Sequence, residues 1–337
     1  MTPKKFIKKI LYTANKNPIS KMLYDREISS RSKMELTDIF SLSKDINMFS
    51  PFTQELHPVN DWYGHARIFK QYMGLPQNYQ FKFVNEHGVF LTQQVSEAEL
   101  ETDLPSFVTY SNYRVDVLKK YKKKVFKVGP FIHYSPNFFT KEKVASEKKR
   151  LGKNILIFHG HSLKSLVQKY NNNWFLKKVK QIGKNFDTIR ICLYWIDIQL
   201  GIHKYYQNLG FECVTAGHIL DPYFVPRLKS ILEISDLTIS NDAGTHIGYS
   251  IYMNKPHILF HKFPRLETNK KRKELLLDLW SSKPYIETLE AFSKVNFNIT
   301  AKQRKIIHQY FGSKEDTKTK AEFRKIVDLT EKIYANK

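Results

Sequence analysis

Apolar residues follow two rhythms along this chain. Runs such as Asn154-Ile-Leu-Ile-Phe158 and Leu237-Thr-Ile-Ser240 are short, continuous and rich in β-branched side chains. That is the pattern of strands buried on both faces. Elsewhere apolar positions recur three and four apart, as on helices with one covered face. From Lys153 onward, strands are predicted at 154–158, 188–194, 211–215, 237–240 and 257–260. Helices are predicted between them at 163–170 with 174–182, at 198–209, at 223–234 and at 246–253. This repeated alternation predicts a parallel sheet covered on both faces.

The first half alternates too. Residues 79–84, 105–110 and 124–128 read as strands. A helix over 59–75 ends at Gly74, with Pro76 behind it as a stop. A second helix covers 115–121, and the first ~55 residues carry no clear assignment. Residues 142–150 are charged and poor in apolar side chains, which suits a linker between domains. The tail holds two helical segments, 300–311 and 320–334. The expected organisation is α/β, with a first domain over 1–150, a second over 151–300 and a helical tail over 301–337.

Charge changes the picture. The chain has 337 residues, 42% of them hydrophobic, with 55 Lys and Arg against 32 Asp and Glu, formally +23. Such a balance implies a polyanionic partner, an anionic membrane surface or a phosphorylated substrate. No helix-turn-helix, zinc-finger or RNP pattern occurs, so nucleic acid is not expected despite the charge. Cys192 and Cys213 lie in apolar strand-like runs and read as buried thiols of a reducing cytoplasm. No apolar run approaches the ~20 residues of a membrane span, and no signal peptide is expected. In Lys4-Lys-Phe-Ile-Lys-Lys-Ile-Leu-Tyr12, Phe6, Ile7, Ile10 and Leu11 share one helical face. This segment reads either as a basic helix lying on anionic lipid or as a solvated helix packed on its own domain.

Candidate chemistry gathers where strands end, the side on which parallel sheets bind ligands. Four ends carry polar clusters: His159-Gly160-His161-Ser162, Tyr194-Trp195-Ile196-Asp197, Ala216-Gly217-His218 with Asp221, and Asn241-Asp242-Ala243-Gly244-Thr245-His246. At the last, Gly244 is expected to turn the chain sharply from strand into helix. The first helical turn then presents free N–H groups and a favourable dipole to an anion, with Thr245 and His246 as added donors. The other reading is an ordinary βαβ unit without a ligand.

His159 and His161 have no Cys or carboxylate at ligand spacing and no HExxH occurs, so no metal site is expected. Neither a GxSxG elbow nor a GxxxxGK[ST] loop is present. Transfer from a phosphorylated donor needs groups to hold the departing phosphate and a base for the acceptor hydroxyl. Glu86-His87-Gly88 at the end of the 79–84 strand offers Glu86 or His87 as that base. Glu86 is favoured, because a carboxylate beside a basic cleft stays ionised. His87 has the alternative of simply capping its turn. His65, His133 and Asp61 are next in line.

The run from Asp236 to Pro256, read as strand, Gly turn, helix and Lys-Pro, resembles the sugar-nucleotide motif of two-domain B-type glycosyltransferases. Trp62-Tyr-Gly-His-Ala-Arg67, Glu86-His-Gly88, Gly129-Pro-Phe-Ile-His-Tyr134 and Ala216-Gly-His218 are similar to stretches of proteins from bacterial capsule and lipopolysaccharide biosynthesis clusters. The resemblance covers roughly residues 59–260. It implies two Rossmann-like domains facing a cleft, with the C-terminal helices packing back. It also implies transfer of a sugar from a nucleotide-sugar to a surface-polysaccharide or lipid-linked acceptor, in the cytoplasm or at the inner face of the plasma membrane. The nucleotide-sugar is a substrate, and no cofactor is implied. Donor binding falls to His159, Gly160, His161, Ser162, His218, Asn241, Asp242, Gly244, Thr245 and His246. Acceptor binding and the base fall to the first domain. The paired-glutamate motif of many retaining members is absent near 241–249, which argues for inversion. Glu86-His-Gly88 also resembles turns of polyol-phosphate polymerases of teichoic-acid type, so phosphodiester transfer stays open. So do two other classes, a nucleic-acid-binding protein and a sugar-nucleotide epimerase.

Overall fold

The computed structural model describes residues 18–46, 55–121, 123–162, 167–169, 172–263, 265–267 and 270–336. The basic segment 4–12 lies outside them.

The apolar runs form two parallel sheets. The first has three short strands in the order β1 (Phe83–Asn85), β2 (Ser106–Thr109) and β3 (Lys124–Lys127). The second is built from β4 (Asn154–Phe158), β6 (Thr188–Cys192), β7 (Glu212–Val214), β8 (Leu237–Ser240) and β9 (His257–Leu259), in the spatial order β7-β6-β4-β8-β9. All four of its pairings are parallel. The chain thus starts in the middle at β4, winds outward through β6 and β7, then returns past β4 to β8 and β9. This is the doubly wound order, and it places a topological switch point between β4 and β8.

Three expectations are corrected. Of the helix expected over 163–170, the described residues Val167–Lys169 are instead a strand, β5, paired antiparallel with β10 (Arg265–Glu267), and the rest lies outside the described residues. The charged stretch 142–150 is not a linker but a helix, Lys141–Leu151. Thr140 caps it by accepting from the Lys143 N–H at 3.3 Å, and Val144 and Leu151 are buried. Two apolar residues and a cap suffice because the last turn, with Lys148, Lys149 and Arg150, also complements the helix dipole. The helix expected over 198–209 is two, Trp195–Gln199 and Ile202–Asn208, separated at Gly201 with φ +80°.

The two sheets share one apolar cluster. Phe83, Val108 and Val128 of the first half pack with Leu156, Phe158 and Val214 of the second. The opposite face of the second sheet has its own cluster, including Ile155, Ile191, Ile239 and Ile258 with Phe175 and Val179. Each such side chain contributes about 1.5–3 kcal/mol on burial.

Two segments cross between halves. Residues 36–46 pack on the second sheet, with Thr215 N–H donating to Leu36 O at 3.1 Å and His218 N–H to Leu42 O at 2.9 Å. Conversely, the tail helix Lys320–Ala335 packs back on the first half, where Phe323 meets Phe69 and Tyr134. Among the described residues, no helix is long and apolar enough to cross a membrane.

Candidate functional site at the strand ends

At the switch point the loops after β4 and β8 are tied together. The Gly160 N–H donates to Asn241 Oδ1 at 2.6 Å. Asn241 is 2% exposed, and its Nδ2 has no hydrogen-bond partner in the structure. A buried amide with one end unpaired costs about 1–3 kcal/mol, so such groups are rare without a reason. Next along, the Ser162 N–H donates to Asp197 Oδ1 at 3.1 Å, joining the loop after β4 to the one after β6. Burial raises the Asp197 pKa, while the neighbouring His159 pulls it down.

The helix Thr245–Tyr252 starts beside Asn241. Gly244 before it has φ −167°, extended backbone open to any residue, so the sharp glycine turn expected from sequence is not what selects it. A Cβ there would lie 3.2 Å from the His246 ring, a tight contact. Thr245 does not project toward a ligand alone: its Oγ1 accepts from the Val89 N–H of the first half at 2.9 Å. His246 stacks on Phe158, the last residue of β4, with ring centres 4.8 Å apart. Its Nε2 is buried without a hydrogen-bond partner. Desolvation and the nearby His161 hold its pKa well below the usual imidazole range, so the ring is neutral at pH 7.

Behind this loop lies His257, fully buried and flanked by the hydroxyls of Thr238 (2.8 Å) and Ser240 (3.0 Å). Ser240 in turn donates to Asp242 O at 2.8 Å and so fixes the loop's path.

The first half faces this arrangement with the turn after β1. Glu86 is fully buried. Arg114 donates to its Oε1 from Nε at 2.8 Å and from Nη2 at 2.5 Å, and Thr109 donates to Oε2. The remaining Arg114 donors go to Thr92 O and Gln94 O. A carboxylate with both oxygens so engaged is a structural anchor, and it is not placed to collect a proton from an acceptor.

His87 is different. Its side chain is 27% exposed, and its ring sits edge-on to Trp62 and Phe90, each 4.9 Å away. Nδ1 lies 3.4 Å from the buried carboxylate of Glu99 but makes no hydrogen bond. A carboxylate beside an imidazole is one element of an oriented base. Glu99, in the short helix Glu97–Leu100, carried no sequence signal, because 12 residues separate it from His87. Asn85 and His65 lie just behind, 3.3 Å apart through Nδ2 and Nδ1. His65 is 1% exposed, and desolvation lowers its pKa to about 3.

The halves meet along a seam that includes a strained turn. Tyr63 has φ +58°, unusual for an aromatic residue, and its N–H donates to Ile219 O at 2.6 Å. Gly64 follows with φ +74°, and a Cβ there would sit 2.4 Å from Pro222 O. The Tyr63 hydroxyl lies 3.4 Å from that of Tyr194, whose ring packs on His161 at 4.6 Å. Tyr110 and Tyr249 pair their hydroxyls across the same seam at 3.2 Å. Non-glycine residues held at positive φ cluster at functional sites, where the surroundings compensate the strain.

Of the other expected donor-site residues, His159 sits beside Asn172, 3.3 Å from its Oδ1. His218 is set apart, on the far side of β6, with its ring 4.2 Å from Trp195 and Nε2 3.3 Å from Asp45. Asp242 accepts from the Tyr285 hydroxyl at 2.8 Å and lies 3.9 Å from His261. His133 is engaged with the Tyr252 hydroxyl at 2.7 Å, and Asp61 accepts from the Glu55 N–H at 3.3 Å. Among the described residues, no three His, Cys, Asp or Glu side chains gather at metal-binding distances.

No protein-family model matches the chain, and no curated protein does. Among solved structures it is similar to the wall teichoic acid polymerase TagF, at 14% identity and a TM-score of 0.40. The match covers 69% of this chain and 58% of that one. Residue roles are not carried across from it.

Proposed function

We propose that the protein is a glycosyltransferase that moves a sugar from a nucleotide-sugar to a surface-polysaccharide or lipid-linked acceptor. The observation that carries this reading is the switch point between β4 and β8, where Asn241 Nδ2 and His246 Nε2 are buried without partners. Doubly wound sheets take nucleotides at that place. The donor diphosphate would lie against the first turn of Thr245–Tyr252, held by its N–H groups, the Asn241 amide and His246. A neutral His246 donates one hydrogen bond there, and an adjacent diphosphate would draw its pKa upward.

The base is His87 rather than Glu86. Its Nε2 takes the proton of the acceptor hydroxyl as that oxygen attacks the anomeric carbon. The carbon–oxygen bond to the diphosphate breaks, and the nucleoside diphosphate leaves. Glu99, 3.4 Å from Nδ1, would stabilise the imidazolium that forms. Attack from the face opposite the leaving group inverts the anomeric centre. The formal charge of +23 would keep the enzyme near anionic lipid and a pyrophosphate-linked acceptor.

A thermal-shift screen with UDP, GDP, CMP, CDP and ADP tests the reading. One nucleotide should raise the melting temperature in the wild type, by an amount that grows with concentration. The shift should shrink in Asn241→Ala. No shift with any of the five would contradict it. Release of CMP from a CDP-polyol, with the polyol phosphate transferred, would point instead to phosphodiester chemistry at the same seam.

A further inference from the structure

A second concavity lies beyond the seam, on the outer side of the helix Trp195–Gln199. Its volume is about 860 Å³, within the range of small-molecule sites. One wall is residues 40–46 and the other is the helix pair Trp195–Gln199 and Ile202–Asn208. The first wall is held rigidly. Arg31, fully buried, donates to Leu42 O at 3.0 Å and Lys44 O at 2.9 Å, and it is anchored by Asp221 at 3.2 Å. Gln199 closes the wall from the other side by donating to Ser43 O at 2.9 Å.

The lining has a definite chemistry. Phe40 is 62% exposed. It packs T-shaped against His203, with ring centres 4.8 Å apart at 89°. Ile46 and Ile198 add apolar floor. Ser43 also lines the cavity, and its hydroxyl is buried without a hydrogen-bond partner. Around the rim stand two acids, Glu27 and Asp45, and two lysines, Lys44 and Lys204. The charges balance, so the site has no preference for a polyanion such as a nucleotide. Two acids, two lysines and an amide beside an exposed aromatic ring suit a neutral ligand with many hydroxyls and one apolar face. A sugar ring has both, since its axial C–H groups form such a face and its hydroxyls form the edge.

We infer that this cavity binds a neutral saccharide. The inference rests on the transferase reading for its role: the cavity would hold the distal part of the glycan acceptor while its reacting end lies in the seam. On its inner side Asp45 lies 3.3 Å from His218, whose ring packs on Trp195 at the start of the helix that forms the other wall.

The test is an array of neutral and acidic oligosaccharides probed with the full chain, run beside nucleotide thermal shifts on the same samples. Wild type should bind at least one neutral class. Phe40→Ala and Gln199→Ala should weaken that binding at least about tenfold, and Phe40→Tyr should retain it. Nucleotide shifts should be the same in all of these. Circular dichroism and the melting curve of Phe40→Ala check that it is folded, as its exposure leads one to expect. Absence of neutral-glycan binding, binding confined to acidic glycans, or binding that survives both alanine variants would overturn the inference. Nucleotide binding without glycan binding sinks this inference alone. Glycan binding that depends on Phe40, without any nucleotide binding, sinks the transferase reading and leaves a carbohydrate site.

Discussion

The strand ends of the two sheets hold their polar groups differently. In the first, the buried charges form a closed set, although Asn85 Oδ1 and His87 Nδ1 beside it have no hydrogen-bond partner. Glu86, Arg114 and Thr109 satisfy one another, and Asn60 pairs with both Phe83 O and the Asn85 N–H, at 2.8 and 2.9 Å. In the second, the Gly160 N–H ties the loop after β4 to Asn241 Oδ1, and Asn241 Nδ2 and His246 Nε2 are left over. Closed networks stabilise a fold, whereas leftover donors at a switch point await a ligand. The difference teaches that polar residues at a strand end do not by themselves mark a site. What marks it is whether their hydrogen bonds close within the protein. His87 stands between the two cases, with Nδ1 near the Glu99 carboxylate but not hydrogen-bonded to it.

Breaking the closed side should cost the most. Glu86→Ala leaves Arg114 buried and uncompensated, and we expect a loss of about 3–5 kcal/mol of stability in urea denaturation. Asn241→Ala, which removes only the acceptor of the Gly160 N–H, should cost less in the same assay, about 1–3 kcal/mol. Equal losses from both would erase the distinction between the two sheets.

His87→Asn sharpens the comparison in a different readout. Turnover should fall by about a hundredfold or more, while nucleotide binding stays normal. Full activity in this variant would return the base to His65, His133 or Asp61.

The pH dependence of stability is the next largest effect. His65 has a folded pKa of about 3, lowered chiefly by burial. Below its unfolded value of about 6.5 the unfolded chain takes up a proton that the folded one does not. Its stability contribution is therefore intact above pH 6.5 and is lost as pH falls toward 3. Between pH 7 and pH 5 the loss is about 2 kcal/mol from this residue. The His65→Gln variant should show a urea midpoint less sensitive to pH by that amount. An unchanged pH slope would mean that His65 is protonated in the folded state.

The smallest expected effect is on ligand affinity. His246→Ala should weaken nucleotide binding by about 1–2 kcal/mol, read by calorimetry, since one hydrogen bond is lost.

Much of the frame was legible in the sequence. The runs at 154–158 and 237–240 match β4 and β8 to the residue, because continuous β-branched stretches have few other uses. The strand-end position of Glu86-His87-Gly88 followed from the same pattern. What stayed hidden was long-range pairing. Nothing local says that Arg114, 28 residues on, neutralises Glu86, or that Glu99 meets His87. The helix Lys141–Leu151 was misread because a charged surface helix and a linker share a composition, and only its cap and two buried residues distinguish them. Gly244 was assigned to a sharp turn, whereas its backbone is extended. The groove at Phe40 could not be seen, since it forms only when 40–46 packs on the second sheet.

The central claim is that the nucleotide lies at the β4–β8 switch point. It can be tested by photolabelling with an azido-base analogue of whichever nucleotide gives the largest thermal shift, followed by peptide mapping. The account expects label in 159–162 or 241–246, competed away by the unmodified nucleotide. Competed label in 40–46 or 198–204 instead would place the nucleotide in the outer cavity and contradict it.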